Sequence, residues 1–172
     1  MSFEFFKTEY KLYGKHARMA GELWHLNDYE HTYFRRLVDI IPAAAVIGFR
    51  LNRKAEPDYS PVETKTVFLQ QMLDAKEEFD FLLQMMVMLE NAERMPAEES
   101  VQTAFRGPQT KEEFKREQEM FDAYVRGGIE QLYECLVVRK ADSDDTFYEN
   151  KTANLMALFE RFAPAEDGTD SW

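Results

Sequence analysis

The spacing of the apolar residues constrains the fold of this chain most, because they recur every three or four positions along most of its length. Such spacing places apolar side chains on one stripe of an α-helix. After Thr66 the stripe consists of Phe68, Met72, Ala75, Phe79, Leu82, Met86 and Leu89. The run Ser60-Pro61-Val62-Glu63 precedes it and has the residue types of a capping box at a helix start. The sequence therefore predicts a long central helix near 60–94.

A second long helix is predicted near 110–139. It starts at another capping box, Thr110-Lys111-Glu112-Glu113. Its predicted inward stripe is Phe114, Gln118, Phe121, Val125, Gly128, Leu132 and Cys135. Asp122, Arg126 and Glu130 follow at intervals of four and predict an ion-pair ladder on the outer face.

The pair Gly127-Gly128 lies inside this second helix. A helical glycine costs roughly 1 kcal/mol relative to alanine. No other signal indicates a break at this point, so the pair predicts close approach by another helix.

Weaker signals indicate the remaining helices. A short helix is predicted between Met95-Pro96 and Arg106-Gly107-Pro108, and another from near Ser143. Residues 28–53 are predicted to form one helix that is kinked at Pro42, and residues 2–25 to hold one or two helices. The fold class is therefore an all-α, single-domain bundle of five to seven helices over residues 1–162, and we expect 163–172 to be a flexible acidic tail.

Several chemical classes are excluded by composition. The single cysteine, Cys135, rules out a disulfide framework and any site built from several cysteines, so we expect it to be a small buried group. No glycine-rich phosphate loop or Gly-x-Ser-x-Gly elbow is present. We expect no cofactor and no metal.

Nothing in the sequence indicates targeting or membrane insertion. The longest apolar run, Leu37 to Phe49, is interrupted by Asp39, Pro42 and Gly48 and is shorter than the ~20 residues that span a bilayer. We expect a cytoplasmic protein without membrane contact. Asp39 in this run is predicted to pair with Arg35 or Arg36.

Charge is distributed unevenly along the chain. Residues 1–54 carry nine basic and six acidic residues, a net charge of +3, whereas 55–172 carry twelve basic and 26 acidic residues, a net charge of −14, and together they give −11. Aromatic residues interleave with the cations of the first part, as in surfaces that bind single-stranded nucleic acid. The predicted contact surface consists of Lys7, Lys11, Lys15, Arg18, Arg50, Arg53 and Lys54, the first four of which would share a helix face.

These observations favour a non-enzymatic helical interaction module that acts through protein contacts within a nucleic-acid-related assembly. We expect a protein partner, with single-stranded nucleic acid as a second candidate partner and a homo-oligomer left open. The acidic remainder of the chain suggests an alternative, an acidic helical protein that neutralises a basic partner.

Two enzymatic resemblances provide further alternatives. Arg18 and His25 are separated by six residues, which resembles the Arg-x4–6-His motif of HEPN-type ribonucleases. That resemblance implies a metal-independent ribonuclease in which His25 acts as acid or base and Arg18 neutralises the phosphate. The runs Glu77-Glu78-Phe79-Asp80 and Glu90-Asn91-Ala92-Glu93 resemble the acid pairs of MazG-like pyrophosphohydrolases, but both fall on one predicted helix instead of two facing ones.

Overall fold

Helices and one short antiparallel ribbon make up the computed structural model, which describes residues 3–24, 32–61, 63–138 and 147–163. In chain order the elements are β1 (Tyr10–Tyr13), α1 (Gly14–Leu23), a 3-10 turn (Leu37–Asp39), α2 (Ile40–Arg50), β2 (Thr64–Val67), α3 (Leu69–Asp74), α4 (Lys76–Asn91), α5 (Ala97–Arg106), α6 (Lys111–Tyr133) with a π-helical end (Glu134–Val138), and α7 (Phe147–Phe162). The predicted helical bundle of five to seven helices is confirmed, with seven α-helices in the described part of the chain. The predicted start near Ser143 and the tail at 164–172 lie outside the described residues.

The second predicted helix is confirmed as α6. The Thr110 hydroxyl accepts a hydrogen bond from the Glu113 N–H at 3.1 Å, and the Glu113 carboxylate accepts one from the Gln109 N–H at 2.7 Å. These bonds satisfy backbone donors at the helix start, as a capping box requires. Phe121, Val125 and Leu132 are buried as predicted, whereas Gln118 is exposed.

Helices α2 and α6 pack backbone against backbone, as the glycine pair predicted. A Cβ atom on Gly128 would lie 1.8 Å from the Ala44 carbonyl oxygen, and one on Gly48 would lie 2.1 Å from that of Tyr124. A Cβ on Gly127 would lie 2.0 Å from the Arg53 carbonyl oxygen, in the segment that follows α2. The three glycines thus permit a helix separation that no larger residue allows.

The prediction of one helix over 60–94 is wrong for its first part. Residues 64–67 form β2, which pairs antiparallel with β1 in the register Tyr10↔Val67 to Tyr13↔Thr64. Two threonines and a valine favour an extended strand, and the ribbon bonds outweigh the capping signal. The Ser60 N–H donates to Asp58 instead of starting a helix, and the helical stripe begins at α3.

The N-terminal predictions also need correction. Lys7 precedes β1, Lys11 lies in β1, and only Lys15 and Arg18 lie on a helix, α1, so the four cations do not share one helix face. Helix α2 begins at Ile40, which places Pro42 in its first turn. There the backbone N–H groups have no intrahelical acceptor, so proline introduces no kink.

The ion pair predicted at Asp39 is confirmed with Arg36. The Arg36 guanidinium donates to both carboxylate oxygens of Asp39, at 2.6 and 3.1 Å. The side chain of Asp39 is still 36% exposed, so this is a surface pair that contributes little to stability.

An irregular N-terminal segment, residues 3–9, packs against the core ahead of β1. The Phe6 ring lies 5.4 Å from that of Phe79 on α4 and 5.1 Å from that of Phe121 on α6, measured between ring centroids. Phe79 and Phe121 are both 1% exposed. Residues 3–9 are thereby fixed beside the middle of α6.

The glycine contact between α2 and α6 makes a direct prediction. Gly128→Ala should lower the free energy of unfolding by about 3 kcal/mol, because the added methyl group forces the two helices apart. Gly21→Ala on α1 is the matched control: its Cβ would meet only the flexible ends of the Lys65 and Glu63 side chains, so we expect a change within about 1 kcal/mol. Urea denaturation of both variants measures this, and equal stability would contradict the proposed close packing.

Candidate functional site

Five of the seven cations predicted to form the contact surface pair with carboxylates in the described structure. Lys7 pairs with Glu4, Lys11 with Glu9 at 3.7 Å, Lys15 with Glu130 at 2.8 Å, Arg18 with Glu22 at 3.1 Å and Lys54 with Glu90 at 3.0 Å. The Arg50 guanidinium lies 5.9 Å from the centre of the Phe162 ring, and the Arg53 carbonyl packs on Gly127. The basic contact surface stays a prediction, but most of its charge is compensated locally.

The enzymatic alternatives receive no support from the geometry. His25 lies outside the described residues, and Arg18 donates to Glu22 and, at 3.4 Å, to the Tyr133 hydroxyl. Glu77, Glu78 and Asp80 lie on α4, and so does Glu90 at its far end, so the two acid runs do not face each other on separate helices. In the described part of the chain, no group of three or more histidine, cysteine or acidic side chains is placed to hold a metal ion.

The same described part contains no helix with the length and apolar character needed to cross a membrane.

A cleft of about 290 Å³ lies between the N-terminal segment with β1, the loop at 57–59 and α6. We name it the acidic–aromatic cleft after two sets of lining residues. The aromatic set is Phe5, Phe6, Tyr10, Tyr13, Tyr59 and Phe121. The acidic set is Glu9, Asp58, Glu119 and Asp122.

A hydrogen bond between Tyr10 and Asp122 lies in the wall of this cleft. The Tyr10 hydroxyl donates to Asp122 Oδ1 at 2.7 Å and joins β1 to α6. Burial raises the pKa of Asp122 to about 6, although the bond from Tyr10 and the charge of Arg126 oppose the shift. Burial and the neighbouring Asp122 raise the pKa of Tyr10, so it stays a neutral donor.

Arg126 is occupied by partners of its own. Its Nε donates to the Ala55 carbonyl at 2.7 Å and its guanidinium to Glu119 at 2.5 Å. The second cation of the cleft, Lys11, pairs with Glu9. Neither Arg126 nor Lys11 is therefore paired with Asp58 or Asp122. The charge of these last two side chains is therefore not balanced by a paired cation within the cleft.

Asp58 holds the start of α1 against the cleft. Its carboxylate accepts hydrogen bonds from the Lys15 N–H at 2.7 Å and the Ser60 N–H at 3.0 Å, and these bonds lower its pKa. Gly14 makes this approach possible, because its φ is +55° and a Cβ there would lie 2.4 Å from Asp58 Oδ2. A carboxylate is favoured at this position by the helix dipole.

His16 lies behind the cleft in neutral form. It is 1% exposed, and its Nε2 lies 2.9 Å from Glu130 Oε1. Burial lowers the pKa of His16, and the hydrogen bond to Glu130 only partly opposes that shift. Since the carboxylate can only accept, Nε2 carries the proton.

The ion-pair ladder predicted for α6 is wrong. Asp122 binds Tyr10, Arg126 binds Ala55 and Glu119, and Glu130 binds Lys15 and His16. The i,i+4 rule assumes a solvated helix face, whereas this face of α6 is covered by β1 and α1.

Sequence reasoning missed the pair of Tyr10 and Asp122. One signal was present, because Asp122 directly follows Phe121, a residue of the predicted inward stripe. The partner lies 112 residues earlier, beyond any local pattern.

Neutral tyrosine hydroxyls, aromatic faces and unbalanced carboxylates together suit a ligand with a positive charge on an apolar stem. Comparisons of the chain with protein-family models, curated proteins and solved structures found no match.

The raised pKa of Asp122 predicts how stability depends on pH. The folded-state pKa of about 6 exceeds the ordinary value of 3.8, so the folded protein binds this proton more tightly than the unfolded chain. The contribution of Asp122 to stability should therefore decline as pH rises from about 4 to about 6, by about 3 kcal/mol in total. Asp122→Asn keeps an acceptor for Tyr10 and lacks this titration.

Chemical denaturation of the wild type and Asp122→Asn at a series of pH values measures the effect. We expect the wild type to lose stability relative to the variant across that window and the difference to be constant above it. A difference that does not change with pH would show that Asp122 has an ordinary pKa.

Proposed function

We propose that this protein is a helical interaction module whose acidic–aromatic cleft binds a basic side chain of a protein partner. One observation carries the proposal. The cleft is lined by two carboxylates without a paired cation, those of Asp58 and Asp122, and by two exposed tyrosines at its mouth. The proposal keeps the predicted role of a module that acts through protein contacts. The surface that makes the contact is acidic at this site.

The charges of the cleft favour a cation. Its lining carries four carboxylates against Lys11 and Arg126, while His16 is neutral. Lys11 and Arg126 each already face a carboxylate. A lysine ammonium entering the cleft would therefore meet two carboxylates that have no paired cation, Asp58 and Asp122. The net charge of −11 for the whole chain adds a long-range attraction for a basic partner.

Aromatic rings at the mouth favour the same ligand. Tyr13 and Tyr59 have ring centroids 5.5 Å apart and are 39% and 72% exposed. Exposed tyrosines beside a pocket commonly contribute much of an interface's binding energy. Their faces attract an ammonium group, and they also pack against the methylene stem of a lysine.

A protein is the better partner than a nucleic acid for this cleft. The carboxylates that line the cleft would repel phosphates. Five of the seven cations predicted to bind phosphates are already paired with carboxylates. Single-stranded RNA therefore serves as a competing probe in the test.

The test is titration of the protein with a short lysine-containing peptide of otherwise neutral sequence, followed by NMR chemical shifts. We expect saturable binding with shifts at Tyr10, Tyr59 and Asp122. Acetylation of the lysine should abolish binding because it removes the charge. Binding should also weaken as pH falls below about 6, since protonation of Asp122 removes an attracting charge.

Asp122→Asn and Tyr59→Ala should each lower the affinity for the peptide about tenfold, which corresponds to roughly 1.4 kcal/mol. Asp74→Asn on α3 and Phe159→Ala on α7 are matched controls, because each removes an exposed side chain of the same kind away from the cleft. Equal binding of the acetylated peptide, unchanged affinity in Asp122→Asn, or tighter binding of single-stranded RNA at this cleft would overturn the proposal.

A further inference from the structure

A second cavity, of about 760 Å³, lies on another side of α6, between α6 and the pair α4 and α5. We name it the arginine-rimmed groove after Arg94, Arg106 and Arg116, which line it. Its size is that of a pocket for a small organic ligand.

Glu117 on α6 is the unusual residue of this groove. It is 8% exposed and lines both the groove and an adjoining cavity of about 210 Å³. Among residues 3–24, 32–61, 63–138 and 147–163, Glu117 forms no hydrogen bond or ion pair. Its carboxylate oxygens therefore face the cavity, where a bound molecule could donate hydrogen bonds to them.

The protein offers Glu117 little compensation. Burial raises the pKa of this carboxyl, Arg116 opposes the shift, Glu113 adds to it, and Arg106 opposes it. Both arginines are exposed. A ligand with N–H groups at this point would supply the missing donors.

Among the described residues at the rim of the groove, the three arginines outnumber Glu56, the one exposed carboxylate without an ion pair, and so favour an anionic group. Lys54 and Glu90 pair at 3.0 Å, and Glu119 is bound by Arg126. Glu113 accepts the Gln109 N–H at the start of α6. In the described part of the structure, Arg94, Arg106 and Arg116 form no ion pair, which leaves three guanidinium groups for phosphate oxygens.

Between the rim and Glu117 the groove is apolar. Val87 on α4, Met95 before α5 and Met120 on α6 line it. Such side chains pack against either face of a flat heterocycle, and the methionines adapt to its shape.

We propose that the arginine-rimmed groove binds a guanine nucleotide. The carboxylate of Glu117 accepts from the N1–H and the exocyclic amino group of guanine, which are adjacent donors on one edge and match its two oxygens. The arginines hold the phosphate, and Val87, Met95 and Met120 contact the base. Adenine presents an acceptor at N1, so it would set a lone pair against the carboxylate.

The experiment is calorimetric titration with GMP, IMP, AMP and guanosine. GMP should bind best, IMP about tenfold more weakly because it lacks the exocyclic amino group, and AMP more weakly still. Guanosine should retain the preference for the base but lose the dependence on salt that phosphate contacts produce.

Glu117→Gln should lower the affinity for GMP at least tenfold and remove the preference over AMP, since an amide offers one acceptor and no charge. The variant should fold and melt at the same temperature as the wild type or a higher one, because it removes a buried charge without partners. The double variant R106Q/R116Q should weaken GMP binding and leave guanosine binding unchanged. Glu98→Gln, an exposed acid of α5, is the matched control.

This inference can fail independently of the proposed function, because Asp122→Asn should leave GMP binding unchanged. Equal affinities for GMP and AMP, an unchanged affinity in Glu117→Gln, or no GMP binding at millimolar concentration would overturn it.

Discussion

The direct contact between the backbones of α2 and α6 determines how everything else is arranged. Gly48, Gly127 and Gly128 let carbonyl oxygens approach where any side chain would collide. Because α2 covers this face of α6 so closely, the other elements pack on its remaining faces. The N-terminal segment and β1 cover one of them and form the acidic–aromatic cleft, whereas α4 and α5 lie along another and form the arginine-rimmed groove. One helix therefore supplies a wall to each cavity.

Each of these cavities contains a carboxyl group of α6 whose pKa is raised by burial. Asp122 and Glu117 lie five residues apart, which turns them about 140° from each other around the helix. Asp122 has the Tyr10 hydroxyl as a partner, whereas Glu117 has none among the described residues. Both ionised groups cost folding free energy. In the two proposals made above, the bound ligand recovers this cost.

The sequence predicted those parts of the molecule that depend on local spacing. The inward stripe of α6 and the meaning of Gly127-Gly128 follow from helical period and from the energetic cost of glycine. The sequence does not predict the strand at 64–67. The local capping signal at Ser60 indicates a helix there, whereas the strand forms because its β-branched residues pair with a strand more than fifty residues earlier. Pro42 was misread for a related reason, since its effect depends on where the helix begins. The bond between Tyr10 and Asp122 could not be predicted, because it exists only after the N-terminal segment has packed on α6.

The attachment of that segment has a practical consequence. Phe6 has a φ of +57°, a backbone conformation that residues with a side chain seldom adopt, and its ring packs between Phe79 and Phe121. One aromatic ring of this segment, Phe6, therefore covers part of the hydrophobic core and also lines the acidic–aromatic cleft. A protease that cut between Phe6 and Tyr10 would leave the α-helices of the described residues covalently intact while separating Phe6 from the ribbon. Cleavage there would therefore report whether Phe6 stays packed on Phe79 and Phe121.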